Sequence, residues 1–323
     1  MSEAKTIWSL FDPLWADIES ETSFPKYRPL LAHYTSIDTL ENILKGNQLW
    51  LSNPLLMNDL EEVRFGMNNG KEIVLQSNDI KNAFQTNERY EIFLGDLLRR
   101  FENFERNESL DVYIFCLSHH IPGDNDGKLS MWRGYGADGR GVALIIDTAK
   151  IPADNGTPFV VAPVIYATSI DRTNWIKQKV SQFSEIVKKS EINNESIYFS
   201  SAQLFDRILL FSLYSKHKGF SEENEWRLAY LRNRDYSSIA DIFLSYGIGP
   251  NGLEPKLKLD LKILGEKLGT SLSIDEISHG IILGPHVSSP LSSATFVRML
   301  KNLGMIRMAA SLANSSIPYR ATK

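Results

Sequence analysis

The segment Phe220-Ser221-Glu222-Glu223-Asn224-Glu225-Trp226-Arg227-Leu228 places two carboxylates two residues apart at the entrance to an apolar run. On a strand that spacing sends Glu223 and Glu225 to one face. A carboxylate there can stabilise an oxocarbenium-like sugar during substitution at an anomeric carbon, and its neighbour can orient or deprotonate the nucleophile. Glu225 suits the first role and Glu223 the second. Alternatively the two acids form an exposed edge paired with Arg227 or Lys216.

Two further pieces would complete a nucleotide site. His33-Tyr34-Thr35 closes a short apolar run. A histidine at a strand end can donate to a ribose hydroxyl, and a helix starting at Ser36 and Ile37 favours a nearby phosphate. The same imidazole can instead cap neighbouring backbone. Met131-Trp132-Arg133-Gly134-Tyr135-Gly136 offers rings to stack on a heteroaromatic base and glycines that admit close approach, although an aromatic core cluster beside a turn has the same composition. Arg133 and Arg227 are expected to neutralise a diphosphate. His33, Tyr135 and Glu225 are expected to converge on one cleft.

Other motifs carry less. Asp124-Asn125-Asp126 lacks the later bidentate glutamate of a calcium loop, and His119-His120 reads as a solvated strand end, so no metal is expected. There is no Walker A motif, no glycine-rich dinucleotide fingerprint after a strand and no nucleophile elbow, which argues against ATPases, dehydrogenases and serine hydrolases. A metal-dependent nuclease or phosphodiesterase built on Asp59, Glu61, Glu62 and Glu225 is one alternative. A non-catalytic nucleotide- or partner-binding module is the other.

The elements that must position these residues follow from hydrophobic periodicity. Leu30–Tyr34 reads as a strand, Ser36 as an N-cap, and residues 37–46 as a helix stopped by Gly46. Residues 49–52 resume as a strand, and Asn58-Asp59 opens an acidic-started helix. Glu88–Arg106 is amphipathic through Phe93, Leu94, Leu97, Leu98, Phe101 and Phe104. Strands are expected at 112–118, 141–147, 160–166, 226–231, 277–283 and 306–312. Helices are expected at 171–189, 195–216 and 292–303, and a hairpin-bearing insertion at 234–259. With no internal repeat and no low-complexity linker, residues 1–323 read as a single α+β domain. Its parts are an N-terminal arm (1–29) and helical insertions at 59–108 and 169–218.

Of 323 residues, 43% are hydrophobic and 23% charged, which is enough to bury a full core, and the net charge of -4 argues against a globally basic nucleic-acid coat. Cys116, the single cysteine, excludes an intrachain disulfide and a four-thiolate zinc site, and its apolar surroundings mark an inert core thiol. The N-terminus lacks a cationic region followed by an apolar run, and no stretch approaches the roughly 20 apolar residues of a membrane span. A soluble, cytoplasmic protein is expected.

At His33-Tyr34-Thr35-Ser36, Leu51-Ser52-Asn53-Pro54 with Asn58-Asp59, Phe115-Cys116-Leu117-Ser118, Ser130-Met131-Trp132 with Tyr135 and Gly141, Glu223-Asn224-Glu225-Trp226-Arg227, and Ile282-Leu283-Gly284, the chain resembles a bacterial family, domain of unknown function 2971. The motifs run in order from about Leu31 to Arg320. A fainter resemblance is to ADP-ribosyltransferases, in which an early histidine or arginine, a central aromatic or Ser-Thr-Ser segment and a late glutamate come together. That likeness implies an α+β fold with a mixed, split β-sheet core of ADP-ribosyltransferase type. It also implies NAD as substrate without a metal, and either transfer of ADP-ribose to a protein or nucleic-acid acceptor or glycohydrolysis. It would make His33 a ligand of the cofactor ribose, with Tyr34 and Thr35 beside it, Tyr135 or Trp132 the nicotinamide stacker and Glu225 the catalytic carboxylate. The central Ser-Thr-Ser motif has no counterpart in this chain.

Overall fold

The computed structural model describes residues 9–18, 24–57, 60–152, 158–190, 193–249 and 252–319, and Asn58, Asp59 and Arg320 lie outside them. The fold is α+β with a mixed, open sheet. The chain divides into two compact units. One comprises residues 1–23, 54–111 and 164–220; the other comprises 24–53, 112–163 and 221–323.

The first unit is helical and takes in both expected helical insertions. Its long helices are Leu60–Leu75, Asn87–Arg106, Ser169–Lys189 and Asn194–Leu213. Phe93, Leu97, Phe101 and Phe104 recur at helical spacing and are all buried. Gly66 lets the first of these helices approach the last, since a Cβ there would lie 2.1 Å from Ser212 Oγ. Buried charges are paired: Asp17 accepts from Lys179 Nζ at 2.9 Å and Arg207 at 2.6 Å. Burial alone would raise its carboxyl, but the two cations more than offset this and hold it below its ordinary value.

Among the described residues the second unit carries ten strands. They are β1 (Leu30–Thr35), β2 (Gln48–Ser52), β3 (Val112–His120), β4 (Val142–Asp147), β5 (Phe159–Pro163), β6 (Glu225–Leu231), β7 (Leu244–Gly249), β8 (Gly252–Asp260), β9 (Ser278–Leu283) and β10 (Leu312–Asn314). Their order is β10-β9-β4-β1-β3-β2-β8-β7, with β6 also on β3 and β5 on β6. Among these ten described strands, only β9 and β10 pair in parallel. β3 is where the sheet divides. β6 pairs with β3 from Val112 to Ser118, while β1 pairs with its end (Leu30↔His120 to Ala32↔Ser118) and β2 with Ile114.

Helix α1 (Ile37–Gly46) begins as read: Ser36 Oγ accepts the Thr39 N–H at 3.1 Å. Gly46 is its last residue, and Asn47 takes the left-handed cap at φ 49°. The expected strand at 306–312 is corrected. Residues Ile306–Ala310 form a helix that buries Met308 and Ala309, as suits the helix formers Arg, Met and Ala, and only residues 312–314 are extended. The expected 160–166 strand breaks at Val164.

Strand alternation separates two faces. Leu31, Phe115, Leu117, Leu144 and Trp226 belong to a large core together with Leu40, Ile43 and Leu44 of α1. Ala32, Tyr34, Ala143, Ile145 and Ile282 belong to a smaller cluster on the other face, with Met131 and Trp132 of α2 (Leu129–Gly134).

Candidate functional site

Residues directly opposite in a ladder share a face, so Ala32, Ser118 and Glu225 lie together. His33, next to Ala32, points the other way. Its ring stacks on Phe115 of the large core at 4.2 Å, and Nδ1 lies 3.0 Å from the Cys116 carbonyl. This contact sits beyond the last β1–β3 pair, where the imidazole closes a gap in the ladder. Burial drives its pKa down to about 4, against the opposing pull of the Cys116 carbonyl, so the ring is neutral at pH 7. The expected convergence of His33 and Glu225 on one cleft is therefore corrected: the sheet lies between them. The capping role left open from sequence is the one found.

Tyr34 is buried on the opposite face. Its Oη accepts the Lys128 backbone N–H at 2.9 Å, and burial pushes the phenol up to about 12. Gly127, at φ 69°, is required beside it, because a Cβ would lie 2.7 Å from that hydroxyl. Thr35 is buried in β1 opposite Val142. Trp132 is fully buried, meets Tyr34 edge-to-face and donates from Nε1 to the Asp126 carbonyl at 2.8 Å. It is a core side chain and offers no face for stacking.

The late glutamates do not share a face, since β6 begins at Glu225 and Glu223 ends a 3-10 turn, Lys218–Glu223. Asn224 between them has φ 43°, which breaks strand alternation. Glu225 is buried and gripped by fully buried Arg227, which donates from Nε to Oε1 at 2.7 Å and from a terminal nitrogen to Oε2 at 3.0 Å. Arg227 is thus a carboxylate partner, and the expectation that it holds a diphosphate is corrected. Arg133 is exposed, its guanidinium 5.1 Å from the Tyr319 ring.

What does come together is a corner at the end of β3. Tyr135, 40% exposed, donates to Glu223 Oε1 at 2.9 Å. Ser118 Oγ donates to the Glu223 carbonyl at 2.5 Å, while Lys128 Nζ donates to Ser118 Oγ at 2.9 Å and to the same carbonyl at 3.3 Å. Burial pulls the Lys128 ammonium below its ordinary value, with Asp124 acting in the opposite sense. Lys128 and Ser118 were not anticipated. Their one sequence signal is a lysine directly after the Asp-Asn-Asp-Gly turn, at the threshold of α2.

That turn is structural. Asp124 Oδ1 accepts the Asp126 and Gly127 N–H groups at 2.8 and 3.2 Å, and Asp126 Oδ1 accepts the Ser316 N–H at 2.5 Å. Among the described residues no cluster of three histidine, cysteine or acidic side chains fits a metal. The presumed solvated pair differs from expectation, as β3 runs through both histidines: His119 Nε2 lies 3.1 Å from Tyr27 Oη and His120 is buried. Among the described residues no helix is long and apolar enough to cross a membrane.

Residues 131–228, which include Tyr135, both glutamates and Arg227, match the family model described as a protein of unknown function, DUF2971. No curated protein and no solved structure matches the chain. The DUF2971 match covers less than the span from Leu31 to Arg320 over which its motifs were read. It includes the Tyr135–Glu223 contact, while Lys128 and Ser118 precede it.

Proposed function

We propose that the chain acts at the anomeric carbon of NAD, transferring ADP-ribose to a protein or nucleic-acid acceptor or to water, with Glu223 instead of Glu225 as the reacting carboxylate. The observation that supports this is the Tyr135–Glu223 hydrogen bond, which joins the central aromatic segment to the late glutamates at an accessible edge. In the reaction the bond from ribose C1′ to the nicotinamide nitrogen breaks, and its electron pair leaves on nicotinamide. The Glu223 carboxylate faces the cation developing at C1′; the acceptor oxygen or nitrogen bonds there and gives up its proton to Glu223 or to solvent. Tyr135 offers its exposed ring to nicotinamide. Lys128 and Arg133 supply positive charge for the diphosphate. Glu225 and Arg227 hold β6 in place.

Labelled NAD incubated with the protein and a cell lysate is expected to release nicotinamide and to label an acceptor or yield free ADP-ribose, with turnover unaffected by chelator. Glu223→Gln should lower turnover by about 10²-fold or more while the thermal melt is unchanged. Wild-type protein that neither binds nor consumes NAD in the presence of the lysate would end this reading. A non-catalytic nucleotide- or partner-binding module is favoured by one observation, the complete engagement of the Glu225 carboxylate by Arg227. Binding of NAD without turnover would decide for it.

A further inference from the structure

On the same face as Ser118 the second unit holds a cavity of about 590 Å³, within the usual range for small-molecule sites. His120 lines it, two residues along β3 from Ser118 and so roughly 7 Å away. Ile145 and Ile282 give an apolar floor, and Asp124, Asn125 and His279 bring polar groups. His120 is 5% exposed and its ring has a hydrogen-bond partner in the Asp124 backbone, so it fixes the Asp124 turn against the cavity wall. Asp124 uses Oδ1 for the turn, and Oδ2 accepts no hydrogen bond among the described residues. No lysine or arginine lines the cavity among the described residues.

We propose that this cavity is a binding site for a neutral, diol-bearing ligand of nucleoside size. The Asp124 carboxylate accepts from adjacent hydroxyls, the exposed His279 imidazole and the Asn125 amide offer further hydrogen bonds, and the isoleucine floor takes a base or other flat apolar group. With an acid and no strong cation in the lining, a phosphate is disfavoured. The site stands apart from the chemistry assigned to Glu223, because its occupancy requires no turnover of NAD.

Titration calorimetry on the full chain with adenosine, 2′,3′-dideoxyadenosine and inorganic phosphate tests it. Adenosine should saturate one site, loss of the diol should weaken binding about tenfold, and phosphate should not bind. Asp124→Asn keeps the turn acceptor, and His279→Ala alters an exposed side chain, so both should fold; each should weaken adenosine about fivefold or more. Failure of wild-type protein to bind adenosine, equal binding of the dideoxy compound, or unchanged affinity in both variants would overturn the proposal.

Discussion

The two faces of β1, β3 and β6 use neighbouring residues for opposite ends. On the face packed by α1 His33 lies against Phe115 in a large apolar core and is held neutral. On the other face, Ser118, Glu225 and Arg227 are buried with their polar groups bonded to one another or to backbone, and Lys128 and Glu223 carry that polarity to the surface. The difference teaches that adjacency in sequence is a poor guide to a shared site on a strand. His33 and Tyr34 touch different surroundings, and so do Glu223 and Glu225.

The largest effect expected is on the polar face. Arg227→Ala leaves the buried Glu225 carboxylate without its bidentate partner and should cost about 3–5 kcal/mol in urea unfolding. A loss below about 1 kcal/mol would mean that water or another group reaches Glu225, and the two faces would differ less than described.

The apolar face gives the next effect, and it depends on pH. His33 has a folded pKa of about 4 against an ordinary 6.5, so the unfolded chain binds the extra proton between those values. Its contribution is fully present above pH 6.5 and is lost as pH falls towards 4, about 3 kcal/mol in all. His33→Phe should flatten that part of the stability profile, and an NMR titration of His33 near 6.5 would refute the assignment.

Smaller effects sharpen the contrast. Tyr34→Phe removes the acceptor of the Lys128 N–H and should cost about 1–2 kcal/mol, readable as a shift in thermal midpoint. Tyr135→Phe deletes a bond at an exposed edge and should change stability by less than about 0.5 kcal/mol. A large loss there would show that the Tyr135–Glu223 corner holds the fold.

Much of the frame was legible because periodicity and capping are local. The Ser36 cap, the phenylalanine stripe of residues 93–104 and the strand at Val112 all declare themselves within a few residues. The candidate site was less legible because its geometry depends on backbone events that composition does not record. The Glu223/Glu225 spacing implied one face only if the strand began before Glu223, and a single positive φ at Asn224 reverses that inference. Trp132 looked like a stacking platform because aromatic and glycine residues serve cores and sites alike. Its burial is decided by α2 packing on Tyr34, a contact 98 positions away in the chain. Lys128 could not be matched to Ser118 until β3 and the turn were both placed.

Asn224 also bears on how this sequence can drift. Its backbone lies where asparagine, aspartate and glycine are comfortable and where branched side chains are penalised by about 1–2 kcal/mol. A change to valine or isoleucine there would leave every acid and every aromatic of the corner intact in an alignment, yet would press the chain to straighten and swing Glu223 away from Tyr135. Relatives that keep both glutamates but lose a small polar or glycine residue between them would then be the ones to suspect of a reorganised edge. The residue between the acids therefore carries as much information about this corner as the acids themselves.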